Sequence, residues 1–182
     1  MTKKIINIVG APGAGKSTLS AEIFVALKKK HMNVEHINEY VKQLVWQEKM
    51  DKINDQYYLA RNQVKILESV VKKVDISICD SPLIISAFYN EYNDKNMSNV
   101  ERTRGFIFDN IAYFETIAEN VYIFLERDNT MPYMNAGRIH DEHESSEINL
   151  CMKQFMDKNG ISYITQKTGQ DAQELLKLLC IT

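Results

Sequence analysis

The chain has 182 residues, of which 45% are hydrophobic and 25% charged, a composition that builds one domain with its own core and without staples. A formal net charge of −2 speaks against a globally basic nucleic-acid binder, because such binding rests on Lys and Arg neutralising phosphates. Three cysteines far apart in sequence, Cys79, Cys151 and Cys180, suggest neither a disulfide framework nor a zinc site and fit a reducing compartment. No apolar run approaches the ~20 residues that span a bilayer, so the expected location is the cytoplasm and no membrane partner is expected.

In chain order, Ile5-Ile6-Asn7-Ile8-Val9 reads as a buried strand and residues 10–17 as a glycine turn. A helix from Lys16 to about Lys30 follows, with Leu19, Ile23, Ala26 and Leu27 on one face. Its Lys28-Lys29-Lys30 end suits the negative pole of the helix dipole better than a nucleic-acid patch. Asn33 to Ile37 is a second strand. Leu59, Ile66, Leu67 and Val70 recur at helical spacing between about Asp55 and Lys73. Asp75 to Cys79 is the third strand, Leu83 to about Tyr92 a helix, and 93–99 a polar loop. Ile107, Ile111, Phe114 and Ala118 mark a further helix, and Val121 to Leu125 a fourth strand. Residues 126–140 show no clear period. A helix from about Asp141 to Lys158 ends at Asn159-Gly160, a left-handed stop signal. Ile161 to Thr165 is expected as the fifth strand, and Leu175, Leu176 and Leu179 belong to a closing helix. Strands alternating with helices imply parallel pairing by right-handed crossovers, hence a three-layer α/β fold. With no repeat and only three prolines, one domain over residues 1–182 is expected, with a lid segment around 126–140. Ligands in such folds gather at the carboxyl ends of the strands.

Gly10-Ala11-Pro12-Gly13-Ala14-Gly15-Lys16-Ser17 satisfies G-x-x-x-x-G-K-[ST] between a strand and a helix, the setting in which that pattern cradles phosphates. Glycines allow successive N–H groups to turn toward phosphate oxygens. The helix N-terminus adds its positive pole, Lys16 reaches the β- and γ-phosphates, Ser17 can ligate Mg²⁺, and Thr18 falls near the α-phosphate. ATP and Mg²⁺ are the ligands this implies.

Two carboxylates end strands on the same rim. Asp80, in Asp80-Ser81-Pro82, occupies a place from which it can hold Mg²⁺ directly or through water. Glu39, in Asn38-Glu39-Tyr40, can take the proton of a substrate hydroxyl. Spacing does not settle which is base and which is cation anchor, and Asp80-Ser81-Pro82 also suits a helix start. Arg127 and Arg138, the latter after Gly137, sit where a lid would bring positive charge over transferring phosphate. On the predicted helix between about Asp55 and Lys73, Arg61 and Gln63 can hydrogen-bond a substrate edge. Trp46, Tyr57, Tyr58, Tyr89 and Tyr92 can stack on a base or belong to the core. His140 and His143 around Asp141-Glu142 are read as a helix start rather than a metal cluster.

The order of these features resembles the P-loop kinases typified by the ribosylnicotinamide kinase domain of the bacterial NadR family and, more broadly, the deoxynucleoside kinases. Gly10 to Thr18, Asn38-Glu39-Tyr40, Gln63, Cys79-Asp80-Ser81-Pro82-Leu83 and Asn129-Thr130-Met131-Pro132-Tyr133 leading to Gly137-Arg138 carry the resemblance. It implies a five-stranded parallel sheet in the order 2-3-1-4-5 with helices on both faces. It implies also an ATP-dependent transfer of the γ-phosphate to a hydroxyl of a nucleoside- or nucleotide-like small molecule, with Glu39, Tyr40, Arg61 and Gln63 toward the acceptor. Similar stand-alone bacteriophage kinases act on hydroxymethylated bases in DNA, which is a second reading. A nucleotide-binding ATPase or switch module without an acceptor is a third.

Overall fold

A computed structural model describes residues 2–127, 133 and 141–181. Five strands, β1 (Lys4–Val9), β2 (Val34–Ile37), β3 (Ile76–Cys79), β4 (Glu119–Glu126) and β5 (Ile164–Lys167), form one sheet in the order β2-β3-β1-β4-β5. Every pairing is parallel. Around it lie α1 (Lys16–Lys29), α2 (Tyr40–Trp46), α3 (Met50–Ile53), α4 (Gln56–Val70), α5 (Leu83–Tyr92), α6 (Val100–Glu115), α7 (Glu142–Lys158) and α8 (Ala172–Leu178). This is the three-layer α/β fold, in the strand order expected of P-loop kinases. No helix among the described residues is long and apolar enough to cross a membrane.

The core has two halves because β1 is buried on both faces, as parallel sheets require. Ile6 and Ile8 join Leu19, Ile23 and Leu27 of α1 and Leu175 and Leu176 of α8. Ile5 and Val9 point to the other face, where α4, α5, α6 and α7 contribute Leu67, Ile84, Ile107 and Met152. Asn7 shares that second face and is buried, but its amide donates to the Asn120 side chain at 2.9 Å and so remains satisfied. A third, smaller cluster of Leu44, Ile53 and Leu59 joins α2, α3 and the start of α4.

The helix ends follow their local signals. Asp55 and Asn99 accept from Tyr58 N and Arg102 N at the starts of α4 and α6. Asp141 and Glu144 make a reciprocal capping box at the start of α7. At the end of α7 Gly160 takes φ 67°, Gly160 N donates to Asp157 O and Ile161 N to Met156 O, the two bonds of a left-handed helix stop. That stop consumes Ile161, so β5 begins at Ile164 rather than at Ile161. Lys28 and Lys29 lie in the last turn of α1, where the helix dipole favours cations.

Candidate nucleotide and acceptor site

β1 lies between β3 and β4, so chain connections leave it in opposite directions and open a crevice at its carboxyl end. The loop 10–15 fills the base of that crevice. Gly10 has φ 154°, and a Cβ there would stand 2.6 Å from Leu125 O, a distance only glycine avoids. Gly15 opens α1 in the left-handed region with φ 89° and no side-chain cap. The first turn of α1 therefore offers its backbone N–H groups to the loop, the arrangement that binds phosphate. Lys16 arches back over the loop, its Nζ donating to Gly10 O at 2.8 Å and Ala11 O at 3.0 Å. From outside, Ser145 Oγ donates to Pro12 O at 2.5 Å. Thr168 Oγ1 likewise meets Ala14 O at 2.8 Å.

A cavity of about 720 Å³ runs from this loop to the far ends of α3 and α5. Gly10, Lys16, Ser17 and Thr18 line one end, Glu39, Lys42 and Tyr89 the middle, and Asn54, Gln56 and Asn93 the other. Glu39 is the residue before α2 and stays half-buried. Burial pushes the Tyr89 hydroxyl up, and the neighbouring Glu39 charge pushes it further. Asn93, Asp94 and Lys95 line the far end, and the loop 93–99 that carries them is tied to the α3–α4 junction. Met97 N donates to Asn54 O at 2.8 Å, Tyr57 N to Ser98 Oγ at 2.9 Å, and Ser98 Oγ to Asp55 Oδ1 at 3.0 Å.

Asp80 lies beneath the lining and is 3% exposed. Burial raises its pKa, and the positive ends of His36, the Ser17 hydroxyl and Lys16 pull it back in part. Pro82, not Asp80, is the residue that caps α5, and no side chain caps that helix. The carboxylate is thus left for other work. Its Oδ1 finds no hydrogen-bond partner among the described residues, although a buried carboxylate oxygen left unpaired is costly. With the Ser17 hydroxyl beside the same group and lowering its pKa, the pair supplies the hard oxygen donors that Mg²⁺ prefers.

The structure thus brings Lys16, Ser17, Thr18, Glu39 and Asp80 to one rim. It does not bring Gln63 there. Gln63 is 4% exposed, and its amide donates to Cys79 Sγ at 3.1 Å beneath β3. That thiol is pushed up to about 12 by burial. Arg61 is exposed and outside the cavity lining. Tyr40 stands behind the wall, its hydroxyl 2.9 Å from that of Tyr58. Arg127 pairs with Glu142 at 2.6 Å and covers the Tyr133 ring, joining the end of β4 to the start of α7. Arg138 and most of the segment expected as a lid lie outside the described residues, as does His140. Of the aromatic candidates Tyr89 and Tyr92 line the cavity, whereas Trp46 faces solvent and Tyr57 packs on Phe106. Among the described residues no group of three His, Cys, Asp or Glu could hold a metal. Sequence reasoning missed α2 and α3, and with them Lys42, Asn54 and Gln56. It also missed His36, which lies beside Asp80.

Sheet order and phosphate loop together define a P-loop protein. The chain belongs to the family described as AAA domain, whose model matches residues 5–173. Among solved structures it is similar to deoxyadenosine kinase from M. mycoides with products dCMP and dCDP, at 22% identity over 97% of this chain and 96% of that one, TM-score 0.60. Thymidylate kinase from Ehrlichia chaffeensis is similar at 15% identity over 99% and 100%, TM-score 0.65. NadR protein in complex with NR is similar at 12% identity over the whole of this chain and 53% of the other, TM-score 0.63. At such identities the likeness is one of fold. No curated protein matches the chain in sequence.

Proposed function

We propose that the protein is an ATP-dependent kinase that transfers the γ-phosphate to a hydroxyl of a nucleoside- or nucleotide-like small molecule. The observation that carries this reading is one cavity lined by the phosphate loop, by the half-buried carboxylate of Glu39 and by the polar side chains of Asn54, Gln56 and Asn93. Its size lies within the ~300–1,000 Å³ usual for small-ligand pockets. A nucleoside kinase and a nucleotide kinase among the structures of similar fold support the acceptor class. A discrete acceptor is favoured over polymeric DNA because the chain carries net charge −2 and the cavity is of small-ligand size.

The loop N–H groups and Lys16 hold the phosphates of the donor and meet charge as it develops on the transferred group. Mg²⁺, held through Ser17 and Asp80, supplies neutralisation of the phosphate oxygens and a fixed orientation for them. Glu39 accepts the proton of the acceptor hydroxyl as that oxygen bonds to phosphorus and the β–γ bridging bond breaks. Lys42 and the amides of Asn54, Gln56 and Asn93 orient the acceptor. Arg138 covers the phosphates from residues 126–140, whereas the pairing of Arg127 with Glu142 suits it to fixing the base of that segment. The protein acts as one domain in the cytoplasm.

The test is incubation with γ-labelled ATP and a panel of nucleosides, mononucleotides, nicotinamide riboside and hydroxymethylated DNA. Label passes to one of the first three. Label on DNA alone replaces the acceptor class, and release of inorganic phosphate with no labelled acceptor overturns the kinase reading.

A further inference from the structure

β2 ends in a group for which the proposed reaction has no use. His36 pairs in register with Ile78 of β3, so it lies on the same sheet face as Ile78 and, two residues further, Asp80. Val34, Ile76 and Ile78 on that face pack against α1. His36 and Asp80 continue the row to the strand ends and replace its apolar pattern with an imidazole and a carboxylate. The His36 side chain is 18% exposed, and its Nε2 stands 3.9 Å from Asp80 Oδ2. Among the described residues Nε2 and Asp80 Oδ1 both lack a hydrogen-bond partner. The His36 ring is also 6.1 Å from that of Phe24 on α1, so a space-filling role is the alternative to be excluded.

We propose that His36 is a positioning residue: its imidazole holds one oxygen of the Asp80 carboxylate, so that the other oxygen is presented to a nucleotide-bound divalent cation. The inference rests on the kinase reading of the site. The geometry divides the carboxylate in this way, with Oδ2 facing His36 and Oδ1 buried without a hydrogen-bond partner among the described residues. The 3.9 Å separation exceeds a hydrogen bond by about 1 Å, and the proposal requires that gap to close when the cation binds. Outer partners of this kind fix the orientation of a cation ligand, and their loss typically weakens metal affinity about 10–100-fold.

The experiment measures Mn²⁺ affinity, by electron paramagnetic resonance, of the full chain with a non-hydrolysable ATP analogue. H36L, which fills the space without a donor, weakens Mn²⁺ about tenfold or more. H36Q keeps an N–H near the Nε2 position and retains parent-like affinity. The double variant H36L with D80N binds no more weakly than D80N alone, because both changes remove one coupled interaction. Nucleotide affinity without divalent cation is unchanged in H36L and H36Q, and this controls for misfolding. Parent-like Mn²⁺ binding by H36L, or losses that add in the double variant, overturns the proposal while leaving the kinase reading in place. Failure of the parent chain to bind Mn²⁺ with the nucleotide overturns both.

Discussion

The loop at residues 10–15 hangs directly from β1, the strand buried on both faces of the sheet, and is braced by α1, Ser145 and Thr168. The opposite wall, α2 and α3 with loop 93–99, rests instead on three buried side chains, Leu44, Ile53 and Leu59, and on side-chain hydrogen bonds such as Ser98 to Asp55. The difference is one of coupling. Disturbing the loop means disturbing the main core, whereas the acceptor wall can open on its own at a fraction of the global stability. Under the proposed function, rigidity thus sits where phosphate is oriented, and adaptability where the acceptor enters and leaves.

Substitutions can break this contrast. On the rigid side, Lys16→Ala abolishes phosphoryl transfer while the chain still folds, since the Lys16 bonds to Gly10 O and Ala11 O lie in the loop and Lys16 is not among the buried core residues. Turnover equal to the parent would remove the loop from the mechanism. Glu39→Gln lowers transfer to the acceptor by about 10²–10⁴-fold and spares slow hydrolysis of ATP. Asp80→Asn instead impairs both, with partial recovery at raised Mg²⁺, so the two activities across a magnesium titration separate base from cation anchor. Arg138→Ala reduces kcat by about 10²–10³-fold, the scale for losing a group that meets transition-state charge. A loss of ATP affinity at constant kcat would make it a ground-state binder.

On the adaptable side the effects are smaller and fall on a different constant. Leu59→Ala removes a side chain 5% exposed from the three-residue cluster and costs about 2–3 kcal/mol. Hydrogen exchange at 40–59 accelerates ahead of the sheet, and KM rises for the acceptor but not for ATP. Uniform loss of protection would mean that the acceptor wall and core unfold together. Tyr58→Phe deletes one hydroxyl of the Tyr40–Tyr58 pair, costs about 1 kcal/mol and shifts the acceptor KM modestly.

The same contrast explains what could be read from the sequence. The loop is an eight-residue local pattern between a strand and a helix, and each of its conformational demands falls on a residue type that meets it. Asp80 was legible because a strand end gives it a position. α2 and α3 were not, because helices of 7 and 4 residues are too short for a period to emerge. Their burial comes from Leu44, Ile53 and Leu59, each on a different helix. Gln63 shows the limit of periodicity in another way. Its place in α4 is compatible with the cavity or with the sheet, and only the packing of α4 turns it toward Cys79. His36 stands in a four-residue strand beside exposed Glu35, where nothing local marks it out, and its meaning appears only with the β2–β3 register.

The two hydroxyls that brace the loop from outside also set its polarity. A peptide unit is a small dipole, and when its carbonyl is engaged on one side its N–H is turned to the other. Ser145 engages the Pro12 carbonyl and Thr168 that of Ala14, so both units are oriented before any phosphate arrives. Ser145 lies in the first turn of α7, and the chain enters that helix from residues 128–140. A tilt of α7 therefore has a mechanical route to the loop: it pulls on one hydroxyl, and that hydroxyl turns one dipole in the loop.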